Sequence, residues 1–390
     1  MNAPRKIIVV LWYAFSTLFP KIALAQDSVY AQTEDILSAL NNDRDFSHAA
    51  IKFSNIGEYK KALEYYDLGR KWYRYNRSQV DSIAFGQLYH PVNAHDYILA
   101  QAQKARVIIF NESYFQARHR IFVGSYLHEL SKMGFHYFGA ESFYNIDEDE
   151  LNQAYPLRNA GKYNAEPQMG HLLHLAIKEK YHFFAYGAHS DTGNKEQVQA
   201  LNIKNFLDRH PNAKIIILCE SGQVYKESFG TFIPMTARLV QLCGPDVLAI
   251  DQEVFNEHSR PKYEEAYYNF ASPEGDVVYL DSLGKPFYMN GLVDIQVFHD
   301  RTKYIDTRPA WLFSNGNKPC YFAKKISKTL AFPCLAMAFR KGEDSQKAIP
   351  LDVIVIHSLV DDRPLALPKG KYIIEIKDID GKKQLINLNN

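Results

Sequence analysis

Cysteine is scarce. Four Cys in 390 residues, at positions 219, 243, 320 and 334, are too few for a fold built on disulfides. Spacing leaves a local Cys320–Cys334 bridge open. Neither sign of charge is in surplus. The 45 Lys and Arg against 44 Asp and Glu leave +1, without the basic excess that nucleic-acid binding needs. No nucleic-acid partner is therefore expected. Past residue 25 no apolar run reaches the ~20 residues of a membrane span, so no transmembrane segment is expected after processing. The G-x-S-x-G serine elbow, a phosphate-cradling glycine loop and a His-rich metal signature are also missing. Aromatics, by contrast, are plentiful at 26 Tyr and 24 Phe, which suits a packed core before it suits a ring-lined cleft.

Residues 1–25 read as a secretory signal peptide. Arg5 and Lys6 precede the apolar run Ile7 to Phe15, and Ala23-Leu24-Ala25 makes a small-x-small cleavage site. Ser16, Thr17, Pro20 and Lys21 interrupt the run short of an anchor, and no Cys follows to carry a lipid. The expected destination is the periplasm or the extracellular space.

Three segments follow. Residues 26–94 read as helical, and Asn55 to Tyr66 resembles the central turn of a tetratricopeptide repeat, with Ala50 and Ala62 at the positions where two helices approach. No second copy is visible, so a single hairpin packed on the main domain is expected. Residues 95–299 alternate strands (106–111, 136–141, 182–187, 214–219, 247–251) with helices (116–132, 169–180, 195–209, 231–242). That rhythm predicts an α/β domain with a mainly parallel sheet and helices on both faces. The polar connection 145–168 is long enough to be an active-site loop. Residues 300–390 lose the helical period and read as a small antiparallel β-domain, with Asp380-Gly381 as a hairpin turn and 260–300 as the transition.

Chemistry concentrates at 106–142. The strand Val107 to Phe110 ends in Asn111 and Glu112, and the next strand ends at Glu141. Open α/β sheets place their sites at this carboxyl edge. If the two strands are adjacent, Glu112 and Glu141 share a cleft, and two close carboxylates raise one pKa, as acid/base work requires. Each alone serves equally well as a helix cap or an Arg partner. His119, on the apolar face of the intervening helix, is a base or a satisfied core histidine. Arg120 is a cation for the carboxylates or a substrate anion. Further polar groups at later strand ends are His189 and Asp191, then Glu220 and Gln223, with Asn202 pointing inward from its helix. Cys219 reads as a buried small apolar residue.

The run Ile109-Phe110-Asn111-Glu112-Ser113-Tyr114, then His119-Arg120, Gly134-Phe135 and Phe138-Gly139-Ala140-Glu141, resembles the opening motif of the erythromycin esterase-like superfamily, which includes haem-binding lipoproteins and Tiki-type proteases. The resemblance covers about residues 95–255. It implies a hydrolase in which Glu112, Arg120 and Glu141 keep family roles. Asn111 replaces the family Gly, Tyr114 stands where the family base is His, and Glu220-Ser221-Gly222-Gln223 replaces a His-containing loop. An exported esterase-like hydrolase of weakened activity is the leading expectation, with His119 or His189 as proton carrier and no cofactor assigned. The alternatives are a ligand-binding protein for haem, a small molecule or a glycan, and a scaffold that meets protein partners through the helical hairpin or the β-domain.

Overall fold

Val107–Glu112 (β2) is apolar through its first four positions, the first three of them β-branched, and buried along its whole length. A strand covered on both faces needs no hydrophobic/polar alternation. In the computed structural model it lies at the middle of an eight-stranded sheet. The structure describes residues 29–70, 82–144, 146–161, 163–188, 194–244, 246–289 and 292–390. The expected signal segment and the site positions His189 and Asp191 lie outside these residues.

The other strands are His90–Asn93 (β1), Phe135–Ala140 (β3), His182–Ala185 (β4), Lys214–Glu220 (β5), Val247–Phe255 (β6), Val277–Leu280 (β7) and Ile295–Phe298 (β8). Their order is β1-β7-β8-β6-β2-β5-β3-β4. The pairs from β8 through β4 are parallel, and β7 runs antiparallel to β8 and β1. The architecture is therefore α/β with a mostly parallel sheet, as expected. β7 and β8 extend it through the region read as a transition, and β1 adds a strand within the segment read as helical.

Helices cover both faces. The α/β part carries Ser82–Leu88 (α4), Ala94–Ala102 (α5), Arg118–Lys132 (α6), Glu148–Leu151 (α7), Pro167–Lys178 (α8), Lys195–Arg209 (α9), Met235–Cys243 (α10) and Ala266–Ala271 (α11). α6 packs Val123, Tyr126, Leu127 and Leu130 with Phe110, Leu218 and Met169 on one side of the sheet. α9 and α10 pack Ile203, Phe206 and Leu239 with Ile109, Ile217 and Cys219 on the other. At about 1.5–3 kcal/mol per large apolar side chain buried, these layers outweigh any single polar contact. α7 interrupts what the sequence presents as one long loop.

Thr33–Asp43 (α1), Phe46–Asn55 (α2) and Tyr59–Gly69 (α3) form the N-terminal helices. Gly57 turns α2 into α3 at φ +74°, and a Cβ there would meet the Val353 carbonyl oxygen at 2.1 Å. A side chain is excluded at that turn both conformationally and sterically. The hairpin packs differently from expectation. Phe53, Ile56 and Ala62 share a core with Leu335, Met337, Phe339, Val353 and Val355, and reach the α/β part through Phe115 and Ala165.

Those partners belong to a four-stranded antiparallel sheet. The C-terminal strands are Tyr304–Ile305 (β9), Arg308–Pro309 (β10), Lys318–Cys320 (β11), Cys334–Arg340 (β12), Asp352–Ile356 (β13), Leu365–Leu367 (β14), Lys371–Lys377 (β15) and Lys383–Asn389 (β16). The larger sheet runs β13-β12-β15-β16, and Gly381 makes the expected turn at φ +82°. Cys320 and Cys334 are free, buried thiols, so the open bridge is not formed. Among the described residues no helix is long and apolar enough to cross a membrane.

Candidate functional site at the carboxyl edge of the sheet

β5 lies between β2 and β3, so the strands carrying Glu112 and Glu141 are not neighbours. Their partners differ too: Glu112 is paired with Arg120 on α6, whereas α9 supplies Lys195 and Gln199 to Glu141. The strand adjacency on which the expected Glu112–Glu141 acid/base pair rested is thus absent. Strand order depends on contacts distant in sequence, and local pattern does not encode it.

Glu112 is enclosed. Arg120 on α6 donates to it through Nε at 2.6 Å and Nη2 at 3.3 Å, and through Nη1 to Glu166 at 2.8 Å. All three side chains are almost entirely buried. Glu166 also caps α8 by accepting from the Met169 N–H at 3.0 Å. Burial pushes the Glu166 carboxyl up, against the opposing charge of Arg120. Arg120 therefore bridges Glu112 and Glu166 rather than Glu112 and Glu141. Glu166 escaped the sequence reading because it sits far along a connection with no motif around it.

Glu141 gathers five donors. The Tyr114 hydroxyl at 3.0 Å and the Glu220 N–H at 3.1 Å donate to Oε2, and the Gln199 and Gln223 amides, each at 3.2 Å, donate to Oε1. The Lys195 ammonium closes on Oε1 as the fifth. The backbone makes room for this. A Cβ on Gly187 would meet the Glu141 carbonyl oxygen at 2.3 Å, so only glycine lets the end of β4 come so close. Asn202, inward as expected, ties α9 to the same strand end by donating to the Tyr186 carbonyl at 3.1 Å.

The rim is wetter. Lys195 bridges Glu141 to Glu220 at 3.6 Å, and the Glu220 side chain is 46% exposed. Desolvation and then the Glu141 charge raise the Glu220 carboxyl. Desolvation would lower the Lys195 ammonium, but the charges of Glu141 and Glu220 raise it instead. Gln223 also donates to Glu196 at 3.1 Å.

His119 cannot serve as the expected base, and Tyr114 cannot replace the family histidine. Tyr114 is buried and stacked on Tyr163 at 4.0 Å. Burial and then the charges of Glu141, Glu220 and Glu112 push its phenol well above the usual range. His119 is fully buried; its Nδ1 accepts from the Ser113 N–H at 3.0 Å, and its Nε2 faces the Asn256 amide at 2.5 Å. Burial, with nearby His299, holds it well below the ordinary histidine range. It is a core histidine that fixes the β2–α6 turn.

A third group ties the ends of β2, β5 and β6. Asn111 donates through Nδ2 to the Ser221 carbonyl at 3.2 Å and to Asp251 at 2.8 Å, while its Oδ1 accepts from the Gln252 N–H at 2.8 Å. Ser221 adopts φ +28°, and its hydroxyl donates to Glu253 at 2.5 Å. Sequence reading noted Ser221 only as part of a polar loop, because no G-x-S-x-G surrounds it.

Cys219, as expected, is a buried packing residue, its thiol pushed well up by burial. Among the described residues no three His, Cys, Asp or Glu side chains converge to hold a metal. Two surface cavities, of about 760 and 320 Å³, carry no His, Met or Cys in their walls.

Fold and edge together define an α/β protein with a mostly parallel sheet and a densely hydrogen-bonded, carboxylate-rich carboxyl edge. No family model matches the chain, and neither a curated protein nor a solved structure matches it.

Proposed function

We propose that the protein is an exported hydrolase whose reaction takes place at the carboxyl ends of β3, β5 and β6. The observation that carries this reading is the Glu141–Lys195–Glu220 arrangement. One carboxylate is oriented by five donors, a cation bridges it to a second, and that second carboxyl reaches solvent with its pKa raised. A raised, accessible carboxyl beside a fixed charge is suited to carrying a proton. Glu220 takes that role, and Lys195 with Glu141 holds the local charge. The resemblance to the erythromycin esterase-like superfamily supports the same reaction class, without its histidine base.

Glu220→Gln tests the reading. With folding intact by circular dichroism, turnover of activated carboxylic esters should fall by about 10²–10⁴-fold, the span of general acid–base assistance. Unchanged turnover removes Glu220 from the chemistry. N-terminal sequencing of native material should begin near Gln26, and a retained Met1 contradicts export.

One observation favours a second reading. The candidate base His119 is locked in place by two contacts, and Tyr114, where the family has its histidine, is held by Glu141. A protein that binds a small polar ligand or a glycan at the same edge without transforming it has the same architecture. Ligand binding with no turnover, unaffected by Glu220→Gln, supports it.

A further inference from the structure

Ser221 stands where the central strand β5 turns sharply into a short 3-10 turn, Ser221–Val224. Its φ of +28° is a conformation that non-glycine residues adopt at a cost of about 1 kcal/mol or more, and such residues concentrate at functional sites. The turn is held from outside by the Asn111 amide on the Ser221 carbonyl, at 3.2 Å. Asn111 is itself fastened by Asp251 and the Gln252 N–H. The strain is thus maintained by three strand ends acting together.

The side chain that this geometry presents is paired with a base. The Ser221 hydroxyl donates to Glu253 at 2.5 Å, and Glu253 comes from the last turns of β6, on the far side of β2. Glu253 also accepts from the Ser113 hydroxyl, and the positive charge of Arg70 acts on it. Both Ser221 and Glu253 are only half-buried, so a substrate can reach the hydroxyl. A hydroxyl, a carboxylate in contact with it and a third group orienting that carboxylate make up an activated nucleophile.

Building on the hydrolase reading, we infer that Ser221 is the nucleophile of an acyl transfer, Glu253 is its general base, and Ser113 positions Glu253. The substrate class is a carboxylic ester. Glu253 takes the hydroxyl proton as Ser221 Oγ bonds to the carbonyl carbon. The bond from that carbon to the alcohol oxygen then breaks, and the alcohol leaves with a proton from Glu220, the proton carrier of the hydrolase reading. Water, giving a proton to Glu220, cleaves the acyl-serine; the acid departs and Glu253 returns its proton to Ser221.

The test is labelling of the full chain with a fluorophosphonate, which forms a stable phosphonyl-serine with loss of fluoride. The expected result is one adduct, located on Ser221 by peptide mass, with labelling about 100-fold slower or more in Glu253→Gln. Ser221→Gly should give no adduct and a higher melting temperature, because glycine adopts positive φ without penalty. That rise shows the variant is folded. No adduct on wild type, an adduct elsewhere, or full ester turnover in Ser221→Gly overturns the assignment. If turnover survives Ser221→Gly but falls in Glu220→Gln, the hydrolase reading stands and the serine fails. An adduct on Ser221 with no ester turned over supports the activated serine and counts against the hydrolase reading.

Discussion

The Arg308–Asp352 pair and the Glu141 cluster are both buried ionic groups, but only the first is accounted for by architecture. Arg308 donates to Asp352 at 2.7 and 2.6 Å, and Asp352 also accepts from the backbone N–H of Val353 at 2.9 Å and Ala366 at 2.7 Å. One positive and one negative charge cancel in a dry interior, both side chains being no more than 2% exposed. The pair joins β10 to β13 beneath the Gly57 turn. The carboxyl edge instead concentrates acids, opens Glu220 to solvent and holds Ser221 in a strained conformation. A sheet needs none of those features to be stable. A closed, neutral pair is what structure alone calls for; surplus charge with exposure and strain marks a site.

Arg308→Leu breaks the closed member of this comparison. It strands Asp352 in the interior and should lower stability by about 3–5 kcal/mol in urea titration, leaving ester turnover per folded molecule unchanged. Replacing both partners by apolar residues should recover most of the loss. If the single variant destabilises by less than about 1 kcal/mol, the pair is no staple.

His171→Leu sharpens the comparison from the structural side. His171 on α8 is buried, and neither ring nitrogen has a hydrogen-bond partner among the described residues. Burial, with the Arg340 charge, lowers its pKa from 6.5 to about 4. Above 6.5 the ring is neutral folded and unfolded, and stability is full. As pH falls from 6.5 to 4 the unfolded chain takes up a proton that the fold refuses, removing about 3 kcal/mol. The variant should lose that part of the acid slope and retain the part due to His174, which burial lowers to about 3. An acid limb identical to wild type would show that His171 finds a partner when protonated.

Lys195→Met probes the open member. Ester turnover should fall by about 100-fold, as when one preorganised donor is removed from a site, while the urea midpoint shifts by no more than a partly exposed ion pair allows, about 1 kcal/mol. A large stability loss with unchanged specific activity would move the Glu141 cluster into the same category as Arg308–Asp352.

The sequence made the individual elements legible and left their assembly hidden. The apolar run of β2, the spacing of Val123, Tyr126, Leu127 and Leu130 on α6, and the Asp380-Gly381 turn are local signals, and each element formed where expected. β1 and β7 are short strands of four residues, too brief to stand out. Glu112 and Glu141 were correctly placed at strand ends, but which strand lies between them follows from packing over the whole sheet. Glu220 and Gln223 were found through their strand end. Ser221 was named in its loop but not singled out, because its backbone angle and its distant carboxylate partner are three-dimensional facts.

Inserting β5 between β2 and β3 also has a kinetic consequence. Asn111 and Ser221 are 110 residues apart, and Asn111 and Gln252 are 141. The edge therefore cannot assemble from any local hairpin or helix pair. Such long loops must close before the contacts that reward them exist, which makes sheets of this topology slow to form. A chain leaving the ribosome holds β2 unpaired in the sheet until β5 has been synthesised, and Asn111 lacks its last partners until β6 follows. A truncation before residue 255 therefore yields a protein without the site.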